Sequence, residues 1–209
     1  MYQRALSIRE EVLGAEDTAT GASLNNLALL YSYMDKYKEA EPLYQRAIDI
    51  GEKTLGPEHR SLATRLNNLG LLYDNQGRYE EAEPLYQRAL VMREGVLGPD
   101  HPDTANSLHC IAFLYDNQEK YDEAEPLYRR ALSIDEKAYG PDHPEVAIDL
   151  NDLASLYVNQ GKYDEAEPLY QRALAVYERV LGPNHPDTVR TRENYEVLKE
   201  IMNEENTSC

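Results

Sequence analysis

Cysteine is nearly missing from this chain: Cys110 and Cys209 are the whole complement. Two thiols so far apart, one of them terminal, form no disulfide framework, and the expectation is a reducing, cytoplasmic compartment. Long apolar runs are missing too. No stretch approaches the ~20 consecutive apolar residues a membrane-spanning helix needs, so no membrane partner is expected. Basic residues are in deficit, 21 against 38 acidic ones, for a net charge of −17. Nucleic acid is therefore not an expected partner, because phosphate binding draws on an excess of lysine and arginine. The opening Met1-Tyr2-Gln3-Arg4 matches internal sequence and does not read as a secretory leader. No Gly-rich phosphate loop, G-x-S-x-G elbow or H-E-x-x-H motif occurs. No enzyme activity, catalytic residue, metal or cofactor is expected.

What the sequence does contain is one segment written several times. Residues 73–99 read Y-D-N-Q-G-R-Y-E-E-A-E-P-L-Y-Q-R-A-L-V-M-R-E-G-V-L-G-P, and near copies begin at Tyr31, Tyr115 and Tyr157. Gly14, Gly56, Gly98, Gly140 and Gly182 stand 42 residues apart. A fixed period without insertions marks a stacked repeat array. Such an array has no single central core, since each unit buries its apolar face against its neighbours.

One unit reads as two helices. Leu62, Leu66, Leu69, Leu72 and Tyr73 recur at spacings of three and four, which predicts a first helix, A, over Leu62–Asn75. Gly77 supplies the left-handed residue that ends it. Tyr79, Ala82, Leu85, Tyr86, Ala89 and Leu90 predict a second helix, B, which Gly98-Pro99 terminates. Pro84, repeated as Pro42, Pro126 and Pro168, predicts a bend or loosening inside every B helix. Ala28, Gly70, Ala112 and Ala154, with Ala40, Ala82, Ala124 and Ala166, stand where two helices approach closely. The tyrosine series 31/73/115/157, 37/79/121/163 and 44/86/128/170 reads as rings packed between helices with hydroxyls at a polar rim.

Leu66, Leu69, Gly70, Tyr73, Tyr79, Ala82, Tyr86 and Ala89 fall on the spacing of the tetratricopeptide repeat, with Leu66 where that motif often has tryptophan. The usual unit is about 34 residues. Here the extra residues lie between units, as in L-G-P-D-H-P-D-T at 97–104. That long unit, the N-N-L-A helix and the L-G-P-x-H-P loop resemble the repeats of kinesin light chains and their bacterial relatives. The resemblance implies an all-α, right-handed superhelical solenoid of antiparallel helix pairs. It divides the chain into a partial repeat at 1–14, full repeats at 15–56, 57–98, 99–140 and 141–182, and a C-terminal capping helix with tail at 183–209.

The resemblance also implies a concave groove lined by A helices that takes a protein or an extended peptide. In the first full repeat its lining is Asn25, Asn26, Leu29 and Tyr33; in the second it is Asn67, Asn68, Leu71 and Asn75. The third offers Asn106, His109, Phe113 and Asn117, the fourth Asn151, Asp152, Ser155 and Asn159. Asparagine carries donor and acceptor together and is a poor residue inside a helix. Its recurrence reads either as hydrogen bonding to a guest backbone or as bonding between neighbouring helices. Phe113 reads either as an apolar anchor in a specificity pocket or as drift in one repeat. Few basic residues occupy the lining, so capture of a C-terminal carboxylate or of an acidic peptide is not expected.

His59, His101, His143 and His185 repeat with the period. Neighbours one unit apart stand about 10 Å from each other by helix-packing distances, too far to share an ion, and they read as tying each loop to its own backbone. His109 and Cys110 are adjacent on a helix and point apart, against a catalytic pair. At the ends, Leu150, Ala154 and Tyr157 become Arg192, Glu196 and Lys199 one period on. The last helix, expected at about 187–203, therefore reads as a cap, and 204–209 as a frayed tail. Tyr2, Ala5 and Leu6 keep interior identities, which predicts an uncapped N-terminal helix cut from a longer array and able to self-associate. The alternative to a peptide-binding scaffold is a structural or regulatory array that self-associates or controls an effector domain in a longer parent.

Overall fold

The computed structural model describes residues 2–56 and 59–208, with side chains from 3 to 204. Met1, Pro57 and Cys209, which open or close expected segments, lie with Glu58 outside the described residues. Among the described residues there are helices and no strand. In chain order they are α1 (Tyr2–Leu13), α2 (Thr18–Ser32), α3 (Tyr37–Leu55), α4 (Arg60–Asp74), α5 (Tyr79–Leu97), α6 (Pro102–Asn117), α7 (Tyr121–Tyr139), α8 (Pro144–Asn159), α9 (Tyr163–Val180) and α10 (Pro186–Ser208). Even-numbered helices are of the A type and odd-numbered ones of the B type. No helix among the described residues is long and apolar enough to cross a membrane.

Each A helix starts on a side-chain cap. The Nδ1 atoms of His59, His101, His143 and His185 accept the backbone N–H two residues on, at 3.0–3.3 Å. Asp17 does the same for α2 through Oδ1 at 2.8 Å. The recurring histidine thus satisfies one of the donors a helix start leaves open. Three repeats add a second tie: the buried hydroxyls of Thr20, Thr104 and Thr188 donate to the carbonyls of Gly14, Gly98 and Gly182 at 2.8–2.9 Å. Those glycines sit at φ 88–97°, a region that costs other L-residues steric strain.

The A-to-B turns need one left-handed residue each. Gly77 (φ 70°) and Gly161 (φ 72°) supply it without strain, whereas Asp35 (φ 56°) and Glu119 (φ 58°) occupy the same place with a side chain. The B helices continue unbroken through Pro42, Pro84, Pro126 and Pro168. The expected loosening produces no break. The last helix also departs from expectation, continuing to Ser208 instead of fraying at 204. Between 187 and 208 no glycine or proline stops it.

The chain forms two compact units, residues 1–114 and 115–209, with the boundary inside α6. In the first, α2 packs on α3 and α4 on α5, with α1 against α2 and α3 against α4. In the second, α8 packs on both α7 and α9, and α10 on α9. The small residues mark the closest approaches: Ala28, Ala112 and Ala154, with Ala40, Ala82, Ala124 and Ala166, have no exposed surface. A Cβ on Gly70 would lie 2.7 Å from the Tyr86 ring. Leu24, Leu66, Leu108 and Leu150 are fully buried at one repeated position, each stabilising its pair by about 2 kcal/mol.

Candidate interaction faces of the A helices

Burying one stripe of α2, α4 and α8 against the B helix that follows leaves the opposite stripe open. In the first unit the open stripe of α2 carries Ala22, Asn26 and Tyr33, with Asn25 and Leu29 half-buried. On α4 it carries Thr64, Leu71 and Asn75, with Asn68 half-buried; on α6, Asn106 and Phe113, with His109 half-buried. Tyr33 is 79 % exposed, Leu71 39 % and Phe113 38 %. The N-terminal ends of α2 and α4 enclose a cleft of about 530 Å³ bordered by Ala22, Asn25, Asn26 and Thr64.

Neighbouring A helices in this unit are joined through the expected amides. Asn68 Nδ2 donates to Asn25 Oδ1 at 3.1 Å. Asn67 Nδ2 reaches Asn106 Oδ1 at 3.3 Å and Ser107 Oγ at 3.4 Å. Asn67 is buried in that contact and does not stand on the open stripe. Arg93 of α5 locks the same junction, donating to Asp103 O and Ser107 Oγ at 2.8 Å and to Asn106 Oδ1 at 3.0 Å. Arg65 is buried in the place of Ser107 one repeat earlier. It donates to Ala47 O, with Gly21 and Gly51 leaving the room it needs.

The second unit presents Ile148, Asn159 and the half-buried Asp152 and Ser155 on α8, with Asn117 and Asp116 at the end of α6. Asn151 is buried, like Asn67: Thr191 Oγ1 donates to its Oδ1 at 3.1 Å, and its Nδ2 donates to Asp152 Oδ1 at 2.9 Å. Asn159 Nδ2 donates to Asp116 Oδ1 at 3.2 Å. Burial raises the Asp116 carboxyl above its ordinary range, against the lowering effect of that bond, and nearby Asp152 adds to the rise.

No group of three or more histidine, cysteine, aspartate or glutamate side chains that could hold a metal occurs among the described residues. Burial pushes the Cys110 thiol up to about 12, which leaves no thiolate nucleophile at neutral pH beside His109.

One recurring device escaped sequence reasoning. Tyr73 donates to Glu41 Oε1 at 3.0 Å, Tyr157 to Glu125 and Tyr195 to Glu167 at the same length. A cation completes each clamp: Arg78 lies over Tyr73 and pairs with Glu41 at 2.9 Å, Lys162 pairs with Glu125 at 3.2 Å, and Lys199 lies over Tyr195. Its traces in the sequence were the repeated A-E-P glutamate and the tyrosine series 31/73/115/157. The clamp joins α4, α8 and α10 each to the preceding B helix and leaves their open stripes free.

Two family descriptions match the chain: "Nephrocystin-3 TPR domain" over residues 83–205 and "Tetratricopeptide repeat" over 1–53 and 33–94. No curated protein matches it in sequence. Among solved structures, BtubC (BKLC) from P. vanneervenii is 25 % identical with a TM-score of 0.74, covering 88 % of this chain and 73 % of that one. A putative kinesin light chain with nearly identical TPR-like repeats from Podosopora anserina is 24 % identical with a TM-score of 0.75, covering 91 % and 90 %. Aspartyl phosphate phosphatase F from Bacillus subtilis is 18 % identical with a TM-score of 0.77, covering 95 % of this chain and 48 % of that one. The last two likenesses concern the fold alone.

Proposed function

The chain belongs to the tetratricopeptide-repeat family, and we propose that its open A-helix stripes hold an extended peptide or partner segment. Repeats of this family generally serve as protein-interaction scaffolds, and no enzymatic family is indicated. The observation that carries the proposal is the row Leu29, Leu71 and Phe113 in the first unit. These are one position in three consecutive repeats, with apolar side chains half-buried or exposed beside uncharged amides. Selection of a random peptide display library on the immobilised chain tests it. Selected peptides should lose most of their affinity for the double variant Leu71→Ser, Phe113→Ser at unchanged helicity. Peptides indifferent to those substitutions would overturn the reading. In the second unit, Asn117, Asp152, Ser155 and Asn159 are the corresponding contacts.

Self-association is a second reading, favoured by the first helix. Ile8 is 50 % exposed, whereas Ile50, Met92, Ile134 and Val176 at the same position are 7 % exposed or less. Sedimentation at rising concentration should then show oligomers that Ile8→Glu disperses. A monomer at all concentrations excludes this reading.

A further inference from the structure

Resting on the peptide-binding reading, we propose that the first unit takes a ligand in the polyproline II conformation with an apolar residue at every third position. The inference comes from matching one spacing against the conformations a peptide can adopt. The asparagine bonds from α2 to α4 and from α4 to α6 show that these A helices are direct neighbours. Helices packed side by side lie about 8–10 Å apart, so Leu29, Leu71 and Phe113 form a row with about that step.

A guest crossing the three helices must present apolar side chains on one face at the same interval. A β-strand rises ~3.3 Å per residue and alternates faces. Its same-face steps are therefore about 7 and 13 Å, and neither fits. An α-helical guest can match the step over about seven residues, but its backbone groups are already bonded to one another. The open amides beside the row would then have no backbone to meet. A polyproline II segment rises about 3.1 Å per residue with three residues per turn, so every third side chain returns to the same face after ~9.3 Å. Its carbonyls carry no internal hydrogen bonds and are free to accept.

The surroundings agree with this guest. No hydrogen bond engages Asn26 Nδ2 among the described residues, and Asn75 is exposed one turn beyond Leu71. Amide donors of this kind suit a proline-rich backbone, which accepts hydrogen bonds and offers few donors of its own. Tyr33 stands 79 % exposed beside the row, an aromatic of the sort on which proline rings dock. Charge plays little part. α2 carries no charged residue, Arg65 and Asp74 of α4 are buried, and the exposed Arg60 of α4 is paired with Asp103 of α6 at 3.2 Å. Binding should accordingly vary little with salt, in spite of the net charge of −17.

The test uses the whole chain and fluorescent synthetic peptides of about ten residues, read by anisotropy. One carries leucine at every third position in a proline frame, a second leucine at every other position in a threonine frame. A third is a helix-forming peptide with leucine on a heptad spacing. The proline-framed peptide should bind at least about tenfold more tightly than either of the others. It should lose about tenfold in affinity on Leu71→Ser with Phe113→Ser, and change less than about twofold on Tyr139→Ser, a control outside the row. If the alternating or helical peptide binds equally well with the same sensitivity to the double variant, the conformational inference falls and the peptide-binding reading stands. If none of the three binds, the inference falls as well; library peptides sensitive to the double variant would then keep the broader reading, and their absence would remove both.

Discussion

Replacing Glu119 by glycine should stabilise the protein, although it removes a side chain and adds no contact. Glu119 sits at φ 58° in the turn between α6 and α7, where Gly77 and Gly161 occupy the corresponding turns. Holding a non-glycine L-residue in the left-handed region costs roughly 1–2 kcal/mol. Glycine returns about 0.5–1 kcal/mol of that through the greater freedom of its unfolded chain. The net gain is about 0.5–1 kcal/mol, or ~1–4 °C in Tm for a chain of this size. Glu119 is the cleaner of the two strained positions, because Asp35 also accepts a hydrogen bond from Tyr37 at 2.8 Å. Thermal and urea unfolding of Glu119→Gly, with Gly77→Glu as the reciprocal variant, measures the effect. Hydrogen exchange at the turn assigns it, since repeat arrays need not unfold in one step. A destabilised Glu119→Gly, or a neutral Gly77→Glu, would refute the argument from backbone strain.

Other perturbations probe the packing and the electrostatics. Asn151→Ala should lose about 1–2 kcal/mol in chemical denaturation, because the amide is buried and hydrogen-bonded at both its oxygen and its nitrogen. Tyr86→Phe should gain about 1 kcal/mol in the same assay: the Tyr86 hydroxyl is buried and finds no hydrogen-bond partner among the described residues. Asp116 has a folded-state pKa raised by burial, so it adds stability below its unfolded pKa and loses it as pH rises through the folded one. Asp116→Asn, which keeps the acceptor for Asn159, should therefore raise Tm at neutral pH. The gap should close near pH ~3, where the wild-type carboxyl is protonated; a gap that widened on acidification would contradict the assignment.

Much of the fold was legible because local rules repeat with the period. The spacing of Leu62, Leu66 and Leu69 named the A helices, and Gly56, Gly98 and Gly140 ended α3, α5 and α7. Periodic histidines too far apart to share an ion pointed to a local role, which proved to be helix capping. What sequence could not decide was how a polar side chain divides between a neighbour and the open face. Asn67 and Asn68 are adjacent in the same motif, yet the first is buried against α6 and the second is half-buried against α2. That division depends on rotation about the helix axis by a fraction of a turn, which apolar periodicity does not resolve. The tyrosine–glutamate–cation clamps were hidden because their members lie about 30 residues apart, and side-chain pairing at that range follows from packing. The tail at 204–208 was misread as frayed because its polar composition was weighed and its lack of a stop signal was not.

On the proposed reading the A-helix stripes, and not the B-helix surface, are where a partner meets this chain. Amide chemical-shift mapping with a library-selected peptide locates the contact residue by residue. The account predicts perturbations at Asn26, Leu29, Asn68, Leu71 and Phe113, with Val91 and Val96 of α5 unmoved. Shifts concentrated on α5 and the other B helices, with the Leu29–Leu71–Phe113 row silent, would contradict it.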